Sequence, residues 1–182
     1  MAAAPEPLMM TVEEYRQLPD HHGVIQELHW GQLMAVTFPK MKHTKLQSRL
    51  LELLRPLAEH SGVVAIEVPF RALPEYDLRR ADVVFVSRAR WDGTDDEDNL
   101  HGSPELVIEV LSRSNTQAEM REQASLCLAT GAEAFWMVDP KAKTVTVLHR
   151  GAKPRLYTRD GQIPLSFFDG ALEVSQIFDG TD

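Results

Sequence analysis

Leu106-Val107-Ile108-Glu109-Val110-Leu111 is an apolar run with a single carboxylate inside it. A run without polar alternation reads as a strand covered on both faces, the pattern of a sheet lying between helices. Burying an unpaired carboxylate is costly enough that the group neutralises, finds a base or binds a metal. A second run, Asp82-Val83-Val84-Phe85-Val86, carries the same problem at its head. Two acids in strand cores argue for a shared partner, and a divalent cation fits both.

Outward from these runs the chain alternates helical and strand patterns. Thr11-Val12-Glu13-Glu14 is a capping box that predicts a short helix running to Pro19. Glu27 to Trp30 and Leu33 to Val36 flank Gly31-Gln32 and predict a hairpin turning at the glycine. Leu46, Leu50, Leu53, Leu54 and Leu57 recur at helical spacing, giving an amphipathic helix over 42–59 with a bend near Pro56. Strands are predicted over 63–69, 82–86, 106–111, 134–138 and 144–149. A helix runs from a cap at Ser114-Asn115-Thr116 through Leu126 to Thr130 and stops at Gly131. Residues 87–103 read as a polar connection. Its Asp95-Asp96-Glu97-Asp98 run lacks the alternating ligands and distal Glu of a calcium loop. The result is a mixed α/β chain, a central sheet flanked by helices, in one domain spanning 1–182.

Composition narrows the setting. No apolar stretch approaches the roughly 20 residues of a membrane-spanning helix, and Met1 to Met10 lacks a basic region followed by an apolar one. The expectation is a soluble cytoplasmic protein without a membrane partner. The one cysteine, Cys127, sits in Ala124-Ser125-Leu126-Cys127-Leu128-Ala129 and reads as a buried small hydrophobe rather than a nucleophile. Net charge is -8, unevenly spread: residues 38–90 hold ten Lys/Arg against six Asp/Glu, or +4, leaving nine against twenty-one elsewhere, or -12. Lys40, Lys42, His43, Lys45 and Arg80 belong to that basic half, which meets phosphates if it folds onto one face and is a solvated surface if it does not.

Neighbouring strands lie about 4.8 Å apart, so Asp82 and Glu109 on adjacent strands fall within one cation's reach. Oxygen donors of this kind suit Mg2+ or Mn2+, which complete their shells with water and phosphate oxygens, as phosphodiester hydrolysis requires. The backbone carbonyl of Val110 offers a further ligand. Glu27 is a third acid, open to two readings: a ligand or water-orienting group, or a solvated glutamate at a strand end.

Several motifs together are similar to one family. They are Glu27-Leu28-x-x-Gly31, His43, Ala81-Asp82-Val83-Val84-Phe85-Val86, Pro104-Glu105-Leu106-Val107-Ile108-Glu109-Val110-Leu111-Ser112 and Gly131-Ala132-Glu133-Ala134-Phe135-Trp136-Met137-Val138-Asp139-Pro140. In order and spacing they resemble the Uma-two family, a bacterial branch of the PD-(D/E)XK, or restriction-endonuclease-like, superfamily. The resemblance implies a restriction-endonuclease-like core and a Mg2+- or Mn2+-dependent endonuclease acting on DNA. It implies metal-binding roles for Asp82 and Glu109 and an acid role for Glu27.

It also implies a lysine where this chain has Gln123. Glutamine can position a water but brings no charge to the transition state, and one lost contact of that kind costs on the order of 3 kcal/mol. Arg121, about 200° away around a helix, cannot substitute. Lys42 and Lys45 can if their helix packs beside the site, while His43 either contacts phosphate and moves a proton or merely begins that helix. With Arg80 these are the expected nucleic-acid contacts. Cys127 in place of a family tyrosine and Ala81 in place of proline are further departures. Two alternatives stand beside the nuclease: the same fold without cleavage, binding nucleic acid or a protein, and a two-carboxylate glycoside hydrolase, which no aromatic setting near Asp82 or Glu109 supports. Asp82 capping a turn, or Glu109 pairing with Arg80 or His43, would remove the site. A homodimer joined through Trp136 or the C-terminal apolar residues is the expected assembly.

Overall fold

The computed structural model describes residues 9–19, 25–112 and 115–180. Most of Met1 to Met10 and the capping position Ser114 lie outside them. Chain order is α1 (Val12–Arg16), β1 (Ile25–His29), β2 (Gln32–Val36), α2 (Met41–Ala58), β3 (Gly62–Arg71), β4 (Arg79–Ser87), α3 (Arg88–Asp92), β5 (Leu100–His101), β6 (Leu106–Val110), α4 (Gln117–Ala129), β7 (Ala134–Asp139), β8 (Thr144–His149), β9 (Arg155–Tyr157), β10 (Gln162–Pro164), β11 (Ala171–Glu173) and α5 (Val174–Phe178). A seven-stranded mixed sheet, ordered β5-β3-β4-β6-β7-β8-β9, forms the centre.

Strand alternation divides the core. On one face Leu46, Leu50 and Leu54 of α2 pack on Val83, Phe85, Ile108 and Val110, and the tail closes that side with Ile163, Leu172, Val174, Ile177 and Phe178. On the other, Ala124, Leu126 and Cys127 of α4 pack on Val84, Val86, Val107 and Phe135. The strand β6 is therefore covered on both faces, which is why its sequence is apolar throughout except at Glu109. Because β4 runs antiparallel to β6, the start of β4 and the end of β6 meet at the same end of the sheet. The parallel pair β6–β7 needs a crossover, and α4 supplies it.

Local signals account for the element ends. Thr11 and Thr116 each form a capping box, with Glu14 and Glu119 respectively. The first helix ends at Arg16, short of Pro19, because Gln17 already closes its last turn. The hairpin turns at Trp30-Gly31 rather than Gly31-Gln32: both residues take positive φ, 51° and 74°, and a β-carbon on Gly31 would sit 2.8 Å from that of Met9. Residues 87–103 are more ordered than their polarity predicts. They hold α3 and the edge strand β5, tied down by Arg90 to Ser103, His101 and Glu105, long-range partners that local composition does not show.

Trp136 is 2% exposed, and Leu172, Val174, Ile177 and Phe178 are equally buried. They complete the chain's own core rather than standing exposed on its surface. Among the described residues no helix is long and apolar enough to cross a membrane.

Candidate metal centre

The strand β4 loses its regular pairing on both sides at Asp82. Toward β6 the register runs Phe85↔Leu106, Val84↔Val107, Val83↔Ile108 and stops before Asp82 and Glu109. Toward β3 it passes from Ile66↔Val83 to Val68↔Ala81, skipping Glu67 opposite Asp82. Side-chain alternation slips here too, since Ala81 and Val84 both join the core on the α4 side. In place of a backbone acceptor, Asp82 Oδ2 takes the Val110 N–H at 2.7 Å. Three carboxylates, Glu67, Asp82 and Glu109, thus stand in a row across three adjacent strands. Like charges facing one another across strands repel, so the row needs positive charge.

Helix α2 supplies part of it. His43 Nε2 lies 2.8 Å from Asp82 Oδ1. One turn on, Gln47 Nε2 donates to the same oxygen at 3.0 Å and also to Glu67 Oε1. Arg80 Nε meets Glu67 Oε2 at 2.8 Å. Burial alone would lower the His43 pKa, but the hydrogen bond and attraction to Asp82, with the charge of Glu67, outweigh it and raise it. Helix α4 supplies the amide of Gln123, whose Nε2 donates to Glu109 Oε1 at 2.9 Å. Burial, then the charges of Asp82 and Glu27 and a hydrogen bond shared with Asp82, push the Glu109 carboxyl well above its usual range; Gln123 opposes them only weakly.

A second network holds this geometry in place. The guanidinium of Arg79, 2% exposed, is bound by fully buried Asp77 at 3.0 Å and by Glu122 of α4 at 3.0 Å. Trp30 at the hairpin tip donates its ring N–H to Glu122 at 2.6 Å and its backbone N–H to Asp77. The hairpin carrying Glu27, the strand carrying Asp82 and the helix carrying Gln123 are thereby tied to one another.

The structure brings together Asp82, Glu109, Gln123 and His43, with Glu27 near enough for its charge to raise Glu109. Glu27 itself receives His29 Nε2 at 2.8 Å. Val110 donates its N–H to Asp82 Oδ2, so the strand edge that carries its backbone groups faces the site. Of the pairings that would have removed the site, Arg80 binds Glu67 rather than Glu109, and His43 binds Asp82. Glu67 and Gln47 were not anticipated. Glu67, like Glu109, is a lone acid in an apolar strand, and it takes a left-handed φ of 55° that non-glycine residues rarely adopt. The ligand atoms of His43, Glu67 and Asp82 lie within 4.8 Å of one another, a mixed donor set that could hold a divalent cation.

The basic half of the sequence does not form a free stripe. Arg71 is bound by Glu13 and Asp98, Arg79 by Asp77 and Glu122, Arg80 by Glu67, and Arg90 by Glu105. Lys42 and Lys45 remain exposed at the start of α2, beside His43. Cys127 is fully buried, and that burial pushes its thiol up to about 12, which disqualifies it as a nucleophile.

The sequence profile of the Uma2 family, described as "Putative restriction endonuclease", matches residues 12–175. The fold matches the crystal structure of "a putative nuclease belonging to DUF820" from Anabaena variabilis, with a TM-score of 0.81 and 19% sequence identity, over 95% of this chain and 99% of that one. No curated protein matches the chain.

Proposed function

The chain belongs to the Uma2 family, and from that membership we propose that it is a metal-dependent nuclease hydrolysing phosphodiester bonds of DNA, with Mg2+ or Mn2+ held by Asp82 and Glu109. The observation that carries this reading is the shortage of positive charge at the break in β4, where half-buried Glu109 stands beside Asp82 and Gln123 with the charge of Glu27 close by. An ion there would polarise the scissile phosphate and lower the pKa of an attacking water.

The protein's own residues do the remaining work. Asp82 is fixed by the Val110 N–H and by His43, so its carboxylate is oriented before anything binds. Gln123 donates its amide N–H to Glu109 and holds that carboxyl in place. Glu27 adds negative charge that draws a cation in, and the Val110 carbonyl is a further ligand. Lys42, Lys45 and Arg80 lie on the α2 and β4 side, where a phosphate backbone would approach; His43 can accept or return a proton. The buried thiol fits a cytoplasmic setting.

Gln123 favours a second reading, in which the fold binds nucleic acid without cleaving it, because no lysine charge meets the phosphate. Supercoiled plasmid incubated with Mn2+, Mg2+ or chelator, beside Asp82→Ala and Glu109→Ala proteins, separates the two. Metal-dependent nicking lost in both variants is the expected result. No nicking under any condition, with Mn2+ still bound by calorimetry, would replace it with the binding reading.

A further inference from the structure

Phe38-Pro39-Lys40-Met41-Lys42 joins β2 to the first turn of α2. Met41 and Phe38, at 70% and 66%, are the most exposed large apolar side chains among the described residues, and they bracket Lys40. Scattered single apolar side chains on a surface are ordinary; these two are interleaved with charge. Lys40, Lys42 and Lys45 are exposed, and among the described residues none of them enters an ion pair. No acid stands between Glu27 and Glu52, in a chain whose net charge is -8. We propose that this segment is a stacking platform for single-stranded DNA: Phe38 lies on the face of an unpaired base, Met41 packs beside it, and the three lysines follow the phosphates of the same strand. The proposal rests on the nuclease reading and deepens it by naming an unpaired strand as the substrate.

Three observations support it. The segment is stiff: Pro39 fixes its own φ and holds Phe38 to extended backbone. The Lys40 carbonyl accepts the His43 and Thr44 N–H groups at 2.8 and 3.2 Å, locking the segment to α2. A ring held this way loses little freedom when a base covers it. The segment is also close to the candidate metal centre. His43 in the same first turn lies 2.8 Å from Asp82, and the five residues from Phe38 to His43 span at most about 18 Å. Base stacking and phosphate attack then fall within a few nucleotides of one strand. Finally, the charge suits one backbone rather than two. Arg71, Arg79 and Arg90 are closed into ion pairs, so the unpaired cations of this region are three lysines in one short stretch. Bases in a duplex are already stacked and must be pulled apart to meet an aromatic ring, whereas an unpaired base meets it without that cost.

The test is fluorescence anisotropy of the full chain in chelator, with a labelled single strand and the duplex of the same sequence. A fluorescent purine analogue in the strand reports stacking by its quenching. The wild type is expected to prefer the single strand and to quench the analogue. Phe38→Ala should weaken single-strand binding by about tenfold, the worth of one stacked base, and abolish the quenching. Its melting temperature should not change, because the ring is exposed. Phe38→Leu, apolar but without an aromatic face, should behave like Phe38→Ala, and Phe38→Tyr should restore binding. Lys42→Gln with Lys45→Gln should flatten the salt dependence by about 0.7 in log-log slope for each lysine. Equal affinity for the two forms, or single-strand binding unchanged in Phe38→Ala, overturns the platform; metal-dependent plasmid nicking would then leave the nuclease reading standing. Binding to neither form, with no nicking, overturns both. Phe38-dependent binding to phosphatidylserine vesicles, or a Phe38-dependent dimer in light scattering, without a single-strand preference, overturns the platform and gives the segment to a membrane surface or a second copy of the chain.

Discussion

Asp98 and Glu109 are acids moved in opposite directions by their surroundings. Asp98 lies in the acidic run 95–98, yet it accepts from Arg16 and Arg71 at 2.7 Å, from the Asn99 N–H at 2.7 Å and from His101 at 2.9 Å. Burial tends to raise its pKa, but the Asn99 N–H, His101, Arg16 and Arg71 outweigh that and hold the carboxyl far below the usual range. Glu109 has one neutral amide donor and two acids for company, and its carboxyl is raised. Asp98 is a clasp joining α1, β3 and the loop before β5. Glu109 has no such cationic clasp, and its neutral form is favoured. Burial leads the causes that raise Glu109, and that carboxyl lacks the arginine partners that outweigh burial at Asp98.

The charge-balanced side of that contrast should break hardest. Arg79→Leu leaves Asp77 buried without its base and frees Glu122, and a buried pair broken from one side loses about 4 kcal/mol. Urea denaturation is the measurement. A loss below about 1 kcal/mol would mean that the network does not anchor the hairpin and α4.

At the charge-deficient side, adding a base should bring activity rather than stability. Gln123→Lys places an ammonium beside Glu109, where the amide now donates at 2.9 Å. Restoring one such electrostatic contact is worth on the order of 3 kcal/mol in the transition state, or about a hundredfold in rate. Plasmid nicking in Mn2+ should rise by about that factor; an unchanged rate would show that the missing charge does not limit turnover.

How far the sequence disclosed this contrast depends on the reach of each signal. Asp82 and Glu109 were legible because an acid in an apolar strand is anomalous over a window of a few residues, and the caps at Thr11 and Thr116 are equally local. The family motifs pointed to Gln123. Glu67 carries the same signature within Val63-Val64-Ala65-Ile66-Glu67-Val68 and was open to the same reasoning. Gln47, one turn after His43, became meaningful only once α2 was known to lie against β4. The arginines misled because their partners are distant along the chain: Arg71 finds Glu13 and Asp98, and Arg79 finds Glu122. Much of a basic stretch in sequence became ion pairs in space, while Lys42 and Lys45 stay exposed.

The smallest effect tests the comparison most directly, because it predicts two limbs of one pH profile. Asp98, with its pKa depressed in the folded state, contributes stability that is present above its unfolded pKa and is lost as pH falls through the folded value. Glu109 is the reverse: its folded pKa is raised, so its contribution is complete below the unfolded value and is lost as pH rises through the folded one. Metal-free protein should therefore lose stability on the alkaline side as Glu109 is forced to ionise beside Asp82. Glu109→Gln removes that ionisation and keeps a hydrogen-bonding amide in its place. At pH 8 to 9 it should be more stable than wild type, while its acid limb stays unchanged. Thermal melting across pH 3 to 9 in chelator reads both limbs. Millimolar Mn2+ should flatten the alkaline limb of the wild type by replacing the proton with an ion and leave Glu109→Gln less affected. An alkaline limb that persists in Glu109→Gln would assign the loss to another group, with His43, whose raised pKa acts in the same direction, the first to substitute.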